Sequence, residues 1–302
     1  MVAKKNELRR CYGARCVAIT SPDKILFPKN KISKLQLIDY YEAVAPTMLP
    51  YMKERMLTMQ RFPEGIAHEG FYHKDLPDYF PAWIKRVAVK KQEGGVVHYM
   101  VCNNVASLIY LANAACITPH MFLSKTSAMH NPDQMIFDLD PSNPKDFASV
   151  KKVAWILKAM LEAYGLVPFV KTTGSHGLHV VVPLKPQHNF DEVRAFARHC
   201  AEKIVAKYPK ITTLEMRKDK RAGKVFIDTL RNSFGATAVA PYAVRAHPGA
   251  PIAMPIFWDD LKKASLRSQS YNIKNVFKRL HKEGDAWKGM KRSARSLPLM
   301  QP

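Results

Sequence analysis

Met135-Ile136-Phe137-Asp138-Leu139-Asp140-Pro141 decides how this chain is read. Its first three residues are apolar, as in a buried strand, and side chains along a strand alternate between two faces. Asp138 and Asp140 therefore point one way, and Leu139 points into the core. Two carboxylates side by side at the lip of a buried strand repel each other unless a cation lies between them. Clustered oxygen ligands of this kind suit Mg²⁺ or Mn²⁺. Taken alone, the stretch fits a strand that ends in an acidic turn at Pro141 equally well.

Outward from that strand, a helical period runs over 146–164. Val150, Val153, Ile156, Leu157, Met160 and Leu161 form its stripe, and Gly165 stands where helices often stop. A strand from Leu166 to Lys171, a polar turn and an apolar strand from Leu178 to Val182 come next. Residues 191–207 read as a helix ending before Pro209, and Val225-Phe226-Ile227-Asp228 as a short strand that again closes on an acid. Upstream, Ser33 is placed to cap a helix over 34–55, which Pro46 and Pro50 are expected to interrupt. Residues 103–115 read as a second, largely buried helix, and a last one is expected over 272–281. Elements in this order predict a mixed α/β or α+β core with carboxylates at strand ends. No repeat or long Gly/Ser linker divides the chain, so residues 1–302 read as one large domain or two lobes.

The 302 residues are 47% apolar, enough for a substantial core. No run approaches the roughly 20 apolar residues of a membrane span. No cleavable leader opens the chain, and a cytoplasmic protein is expected. Five cysteines (Cys11, Cys16, Cys102, Cys116, Cys200) are odd in number and scattered, which favours free thiols over a disulfide framework. Cys11 and Cys16 lack a second Cys/His pair at convincing spacing, which argues against zinc. Forty-seven Lys and Arg against 25 Asp and Glu give a net charge of +22. That excess points to a polyanion, most often nucleic acid, although a membrane surface also fits. It is uneven: residues 1–34 hold nine Lys/Arg and two acids, and residues 261–302 hold eleven and two. Solvated basic ends explain those runs more simply than a defined groove does.

Three further groups bear on chemistry. Asp228 can join Asp138 and Asp140, and three acids bridging two metals would hold a triphosphate and activate a hydroxyl. By itself Asp228 reads as a strand-end turn residue. Thr173-Gly174-Ser175-His176-Gly177-Leu178-His179 joins two strands. Its glycines let backbone approach an anion, the hydroxyls of Thr173 and Ser175 donate to it, and histidine can add charge. Arg231 and Arg245 bracket Asp228 and serve equally as structural counter-charges or as phosphate clamps. His120, after Thr118-Pro119, reads as a helix-end histidine on its own.

In combination these residues carry a resemblance. Phe137-Asp138-Leu139-Asp140-Pro141, Thr173-Gly174-Ser175-His176-Gly177-Leu178-His179-Val180, Phe226-Ile227-Asp228 and Ala240-Pro241-Tyr242-Ala243-Val244-Arg245 occur in order. Together they resemble the polymerase domain of bacterial ligase D, in the archaeo-eukaryotic primase superfamily. The likeness runs from Asp23-Lys24-Ile25-Leu26-Phe27-Pro28 to Trp258-Asp259-Asp260-Leu261. It implies a primase-like α+β core: a central, mostly antiparallel sheet flanked by helices, with an end-binding portion over 1–130 and a catalytic core over 131–302.

The resemblance also implies roles for particular residues. Asp138, Asp140 and Asp228 match metal-binding acids, and His120, Thr173, Ser175, His179, Arg231 and Arg245 fall at nucleotide contacts. Lys24 and Lys34 match a lysine pair that grips a downstream 5′-phosphate. Phe71 and Tyr72 match an aromatic pair that stacks on template bases, although by composition alone they read as core. Arg231 stands where some members have glutamine. His176 replaces a common lysine and His247 a frequent arginine, which puts a titratable group at each place. No Lys-x-Asp-Gly ligase nucleophile is found, so a free-standing polymerase or an excised domain is expected.

The implied function is nucleotide addition to 3′-hydroxyl ends at gaps and double-strand breaks in non-homologous end joining, with Mn²⁺ or Mg²⁺ as cofactor and NTP or dNTP as substrate. Implied partners are 5′-phosphorylated DNA, the Ku end-binding protein and a separate or fused ligase, at the nucleoid. Two other classes compete. A non-catalytic end-bridging module explains the basic surface but not the three acids. A metal-dependent nuclease explains the acids but not the polar turn at 173–179.

Overall fold

The computed structural model describes residues 8–91 and 93–298. A hairpin of β1 (Arg9–Tyr12) and β2 (Arg15–Ala18) opens it, and β3 (Ile25–Phe27) and β4 (Ile32–Ser33) lead into α1 (Lys34–Met52). Then come β5 (Met56–Arg61), β6 (Phe71–His73), β7 (Lys85–Lys90), β8 (Val96–Val101), α2 (Val105–Asn113) and β9 (Cys116–Phe122). β10 (Gln134–Pro141), α3 (Phe147–Ala163), β11 (Phe169–Thr172), β12 (Leu178–Pro183) and α4 (Phe190–Lys207) follow. The last elements are β13 (Thr212–Thr213), β14 (Val225–Asp228), β15 (Thr237–Val239), β16 (Pro255–Ile256) and α5 (Val276–Glu283).

One six-stranded sheet runs β13-β14-β10-β12-β11-β16 and is antiparallel except for its β13–β14 pair. A second runs β15-β9-β5-β8-β7, with β6 added to β5, and is antiparallel throughout. β15 comes from the second half of the chain yet pairs with β9, so the two sheets are tied by sequence exchange across residue 130. Hydroxyls reinforce the tie: Tyr40 donates to the Tyr242 carbonyl at 2.6 Å, and Thr118 to the Val244 carbonyl at 2.7 Å. α3 and α4 pack on β10 and on each other, burying Val150, Val153, Leu157, Leu161, Val193, Phe196 and Ile204. Each such side chain contributes about 1.5–3 kcal/mol of burial.

α1 starts where the sequence places it. Ser33 and Gln36 satisfy each other's backbone N–H groups in a capping box. It does not break at its prolines: Pro46 and Pro50 lie inside one continuous helix. Each removes an N–H at a cost of about 3 kcal/mol. Burial of Tyr40, Tyr41, Val44, Ala45, Met48, Tyr51 and Met52 offsets it. α5 begins later than expected, because the Asn275 side chain first closes a turn on the Asn272 N–H.

The cysteine expectation is corrected in part. Cys11 faces Cys16 across the β1–β2 pair, and the two form a disulfide. Gly13, at φ +59°, makes the turn that sets them opposite. Cys102, Cys116 and Cys200 are free and buried. Residues 1–7 and 299–302, which belong to the basic ends, lie outside the described residues. Among the described residues no helix is long and apolar enough to cross a membrane.

Candidate active site

Strand register assembles the site. Asp138 on β10 lies directly opposite His179 on β12 and Asp228 on β14. Opposed residues share a face, so one row carries Asp228, Asp138 and His179, and Lys171 on β11 extends it opposite His179. Asp140, two residues further along β10, lies on that face too. Leu139 is fully buried on the other.

Asn232 secures β10 where β14 has not reached. Its side chain accepts the Ile136 N–H at 2.8 Å and donates to the Ile136 carbonyl at 2.7 Å, in place of a strand. The turn that carries it, Leu230–Asn232, brings Arg231 Nε to 3.5 Å from Asp138 Oδ2.

The electrostatics of the row follow from burial and neighbours. Asp138 is 5% exposed. Burial raises its proton affinity, but the basic groups His179, Arg231 and Lys171 outweigh it and hold the carboxyl below the ordinary range. His179 Nε2 is 3.3 Å from Asp138 Oδ1, yet burial outweighs that carboxylate and lowers the imidazole to about 4. His179 is therefore neutral at neutral pH, and Arg231 stands beside Asp138 as a fixed positive charge. Asp140 is pushed up to about 7 by burial and by Asp138 and Asp228, against Arg221 and Arg231. Asp228 is raised chiefly by burial, against the Leu230 N–H that its Oδ1 accepts at 2.7 Å.

The 173–179 turn is held by its own hydroxyls and by close backbone. Thr173 Oγ1 accepts the Gly177 N–H at 3.2 Å and lies 3.2 Å from Ser268 Oγ, which donates to the Gly177 carbonyl at 2.9 Å. Gly174 sits at φ +67°, where an added Cβ would stand 2.8 Å from both Arg245 Cγ and the Ile252 carbonyl. Arg245 Nη1 donates to the Thr173 carbonyl at 2.9 Å. A cavity of about 330 Å³ opens between the two sheets, lined by Tyr72, His120, Asp138, Asp140, Thr173, Ser175, His176, His179, Arg231, Arg245 and β15. His120 comes from β9, not from a helix end. Burial, with Arg245 and Arg231 beside it, keeps its imidazole far below its usual titration range. Lys171 is hidden behind the cavity, 1% exposed, donating from Nζ to the Val239 carbonyl at 2.8 Å. His247 lies next to the turn and touches Ser175.

Asp228 stands apart from the other sequence-predicted residues. Its carboxylate caps Leu230 and lines a neighbouring hollow with Arg198 and Met216. Among the described residues no three His, Cys, Asp or Glu side chains are placed to grip one ion. The trio expected to meet at a point is thus united by backbone register and not by side chains. The donors nevertheless fit a divalent ion. They are hard carboxylate oxygens, buried Asp138 Oδ1 has only His179 Nε2 beside it at 3.3 Å with no well-formed hydrogen bond, and Asp140 binds its proton tightly because of burial and the acids beside it. Asp228 shares the row of Asp138, directly across the β10–β14 pair.

A second cavity of about 320 Å³ holds Lys24, Lys34, Arg61, Glu64, Thr20, Tyr79 and Asn113. Lys34 is 6% exposed and donates from Nζ to Thr20 Oγ1 at 3.1 Å and to the Asn113 carbonyl at 3.3 Å. Burial and the nearby Lys24 lower its affinity for its proton. Lys24 pairs with Glu64 at 2.7 Å. Phe71 and Tyr72 are exposed, against their plain reading as core, and Tyr72 meets the His120 ring edge-on at 5.5 Å. Sequence reasoning did not single out Lys171, Asn232, Arg61 or Tyr79. Each gains its place from a partner on another strand or loop, and no local pattern marks it.

Residues 33–287 match the model of the LigD primase-polymerase domain. The chain belongs to this family. The multifunctional non-homologous end joining protein LigD of Mycolicibacterium smegmatis is 31% identical over 271 residues, 89% of this chain and 35% of that protein. The bifunctional non-homologous end joining protein LigD of Bacillus subtilis is 30% identical over 281 residues, 93% of this chain and 45% of that protein. The solved polymerase domain from Mycobacterium tuberculosis ligase D, in complex with DNA, superposes with a TM-score of 0.87. Its sequence is 29% identical, and the match covers 92% of this chain and 99% of that one. Family and fold agree with the resemblance read from the four motifs, and the chain is a nucleotidyltransferase of primase-polymerase type. It spans under half the length of these two LigD proteins.

Proposed function

We propose that the chain adds nucleotides to 3′-hydroxyl ends on a template strand at gaps and double-strand breaks, within non-homologous end joining. The observation that carries this is the register of Asp138 with both Asp228 and His179, beneath a cavity walled by Arg231 and Arg245. An acidic floor under cationic walls matches a triphosphate bound through a divalent ion. Asp138, Asp140 and Asp228 would hold Mn²⁺ or Mg²⁺, which when bound lowers the pKa of an attacking hydroxyl and offsets charge on the leaving pyrophosphate. Arg231 and Arg245 orient the phosphates, Thr173 and Ser175 donate to them, and His120 and His179 present neutral imidazoles to the substrate.

In the same reading residues 1–302 act as one unit whose first portion grips the DNA end. Lys24 and Lys34, joined by Arg61, bind a 5′-phosphate, whose charge exceeds that of an internal phosphate. Phe71 and Tyr72 stack on template bases of any sequence. Ku and a ligase would supply end recognition and sealing, and the setting would be the cytoplasmic nucleoid. A labelled primer on a gapped duplex with Mn²⁺ and NTP or dNTP tests the reading. Asp138→Ala is expected to abolish extension while leaving end binding largely intact, and retained extension would count against the site. The same strand incubated with metal and no nucleotide should keep its length; shortening would favour a nuclease.

A further inference from the structure

Two histidines outside the acid row are joined by one hydroxyl at the cavity. Ser175 Oγ lies 3.0 Å from His176 Nδ1 and 3.0 Å from His247 Nε2, and the two rings meet edge to face with centroids 5.9 Å apart. Ser175 and His176 line the cavity, and His247 reaches it through Ser175. A hydroxyl has a single proton to donate, and each neutral imidazole offers one donor and one acceptor nitrogen. With both rings neutral, Ser175 donates to one and accepts N–H from the other, so its proton is used up inside the cluster. With both rings protonated, each facing nitrogen is a donor, Ser175 accepts from both, and its own proton is released to face the cavity. Two added protons thus turn a self-satisfied trio into two cations and a free hydroxyl donor.

The surroundings favour the neutral form until an anion arrives. Burial leads in lowering both imidazoles, followed for His176 by Lys218 and Arg245 and for His247 by Arg245 and His176. Asp138 and Asp140 are the carboxylates that line the same cavity, and Gln269 holds the turn by donating to the Ser175 carbonyl at 3.1 Å. A polyphosphate carries several negative charges, and anionic charge beside an imidazole favours its protonated form. Resting on the reading of this cavity as a nucleotide site, we infer that an entering phosphate tail draws protons onto His176 and His247, making the Ser175-bridged pair a phosphate clamp that its ligand switches on. Lys or Arg at these two places would bind phosphate with a charge fixed across neutral pH. The histidine pair instead ties affinity to proton uptake, so binding tightens as pH falls from 8 towards 6.

Titration calorimetry with a non-hydrolysable nucleoside triphosphate, Mn²⁺ saturating in cell and syringe and no DNA, in buffers of differing ionisation enthalpy at pH 7, counts the protons. The native protein is expected to take up one to two protons per nucleotide. In the His176→Lys, His247→Arg double variant uptake should fall towards zero, and affinity should vary less than about threefold between pH 6 and 8. His176 is exposed and His247 part-buried, so both changes are tolerable to the fold. Independently, the imidazole resonances of His176 and His247 in the native protein should move to imidazolium positions on adding nucleotide. Binding with equal proton uptake in native and variant, and unmoved resonances, overturns the clamp alone. No nucleotide binding by either protein overturns the reading of the cavity on which the clamp rests.

Discussion

Gly177 is where packing and catalysis can be tested with one methyl group. Its φ lies outside the left-handed region, so alanine meets no backbone strain there. What alanine meets is the Leu139 carbonyl oxygen, 2.1 Å from the new Cβ, with Asp140 Oδ1 at 3.2 Å. That is about an ångström inside normal contact, and the obstacle is backbone that cannot rotate away. Leu139 pairs with Leu178 and lies between the two acids, so relief means prising β10 from β12 at the catalytic end. Overpacking costs about 1–3 kcal/mol, and losing one or two ladder hydrogen bonds adds about 1 kcal/mol each. A total of about 2–5 kcal/mol, over a chain with about 2.1 cal/mol/K of unfolding entropy per residue, lowers the melting temperature by about 3–8 °C. An ångström of displacement at Asp140 costs about 100-fold in turnover. Gly235→Ala is the matched control: Gly235 has φ +80° with nothing within 4 Å of a Cβ, so alanine loses only about 1 kcal/mol to strain, with full activity. Scanning calorimetry and primer extension on both variants decide the matter. Gly177→Ala melting within 2 °C of the native protein, with extension intact, would refute the reasoning.

Other expectations follow from the same geometry. Asp140, at about 7 in the folded protein against 3.8 unfolded, stabilises the metal-free protein fully below 3.8 and loses that contribution as pH rises through about 7. Mn²⁺ should therefore raise the melting temperature more at pH 8 than at pH 6, and Asp140→Asn should remove the difference; Asp138, shifted the other way, acts only at more acidic pH. Asn232→Ala leaves the Ile136 N–H and carbonyl buried without partners, at about 1–3 kcal/mol each. Denaturant melts should show a loss of about 2–5 kcal/mol, and a near-native midpoint would remove Asn232 from its place as a surrogate strand. Lys34→Met keeps the stem and drops the charge, so affinity for a gapped duplex should lose about tenfold or more with a 5′-phosphate and little without one. An equal loss on both duplexes would assign Lys34 to ordinary backbone contact.

Much of this was legible because alternation and period are local. The strand at 135–141, the helices at 34–52, 147–163 and 190–207 and the buried strand at 225–228 all carry their pattern in their own residues. Convergence of Asp228 on Asp138 was legible only in outline. Register put the residues opposite, whereas the Leu230 N–H claimed the Asp228 carboxylate, and no sequence pattern records that competition. Lys171, Asn232 and Arg61 were illegible for the reason given by their partners, Val239, Ile136 and Ala114, which lie 68, 96 and 53 residues away. The disulfide was misread from a global count, although Gly13 between Cys11 and Cys16 already spelled a tight hairpin. Pro46 and Pro50 were given their local weight, and burial along α1 overrode it.

Where the fold leaves polar groups unsatisfied distinguishes catalysis from mere end binding. Among the described residues nine buried side-chain atoms lack a well-formed hydrogen bond, though Asp133 Oδ1, Asp138 Oδ1 and Arg279 Nη1 keep an ion-pair neighbour, and four of the nine belong to His120, Asp138, His179 and Arg245 around one cavity. A buried polar atom left without a partner costs roughly 1–3 kcal/mol, so the concentration of such atoms marks a site held against its own stability by the rest of the core. Their chemistry is not uniform. Asp138 Oδ1 can only accept when ionised, Arg245 Nε can only donate, and the two imidazole nitrogens do either. A DNA backbone phosphate would satisfy the donors and press its charge against Asp138 and Asp140. A lone cation would satisfy the acids and be repelled by Arg231 and Arg245. A triphosphate carried by a divalent ion presents the cation to the floor and the anion to the walls, and it meets both demands at once.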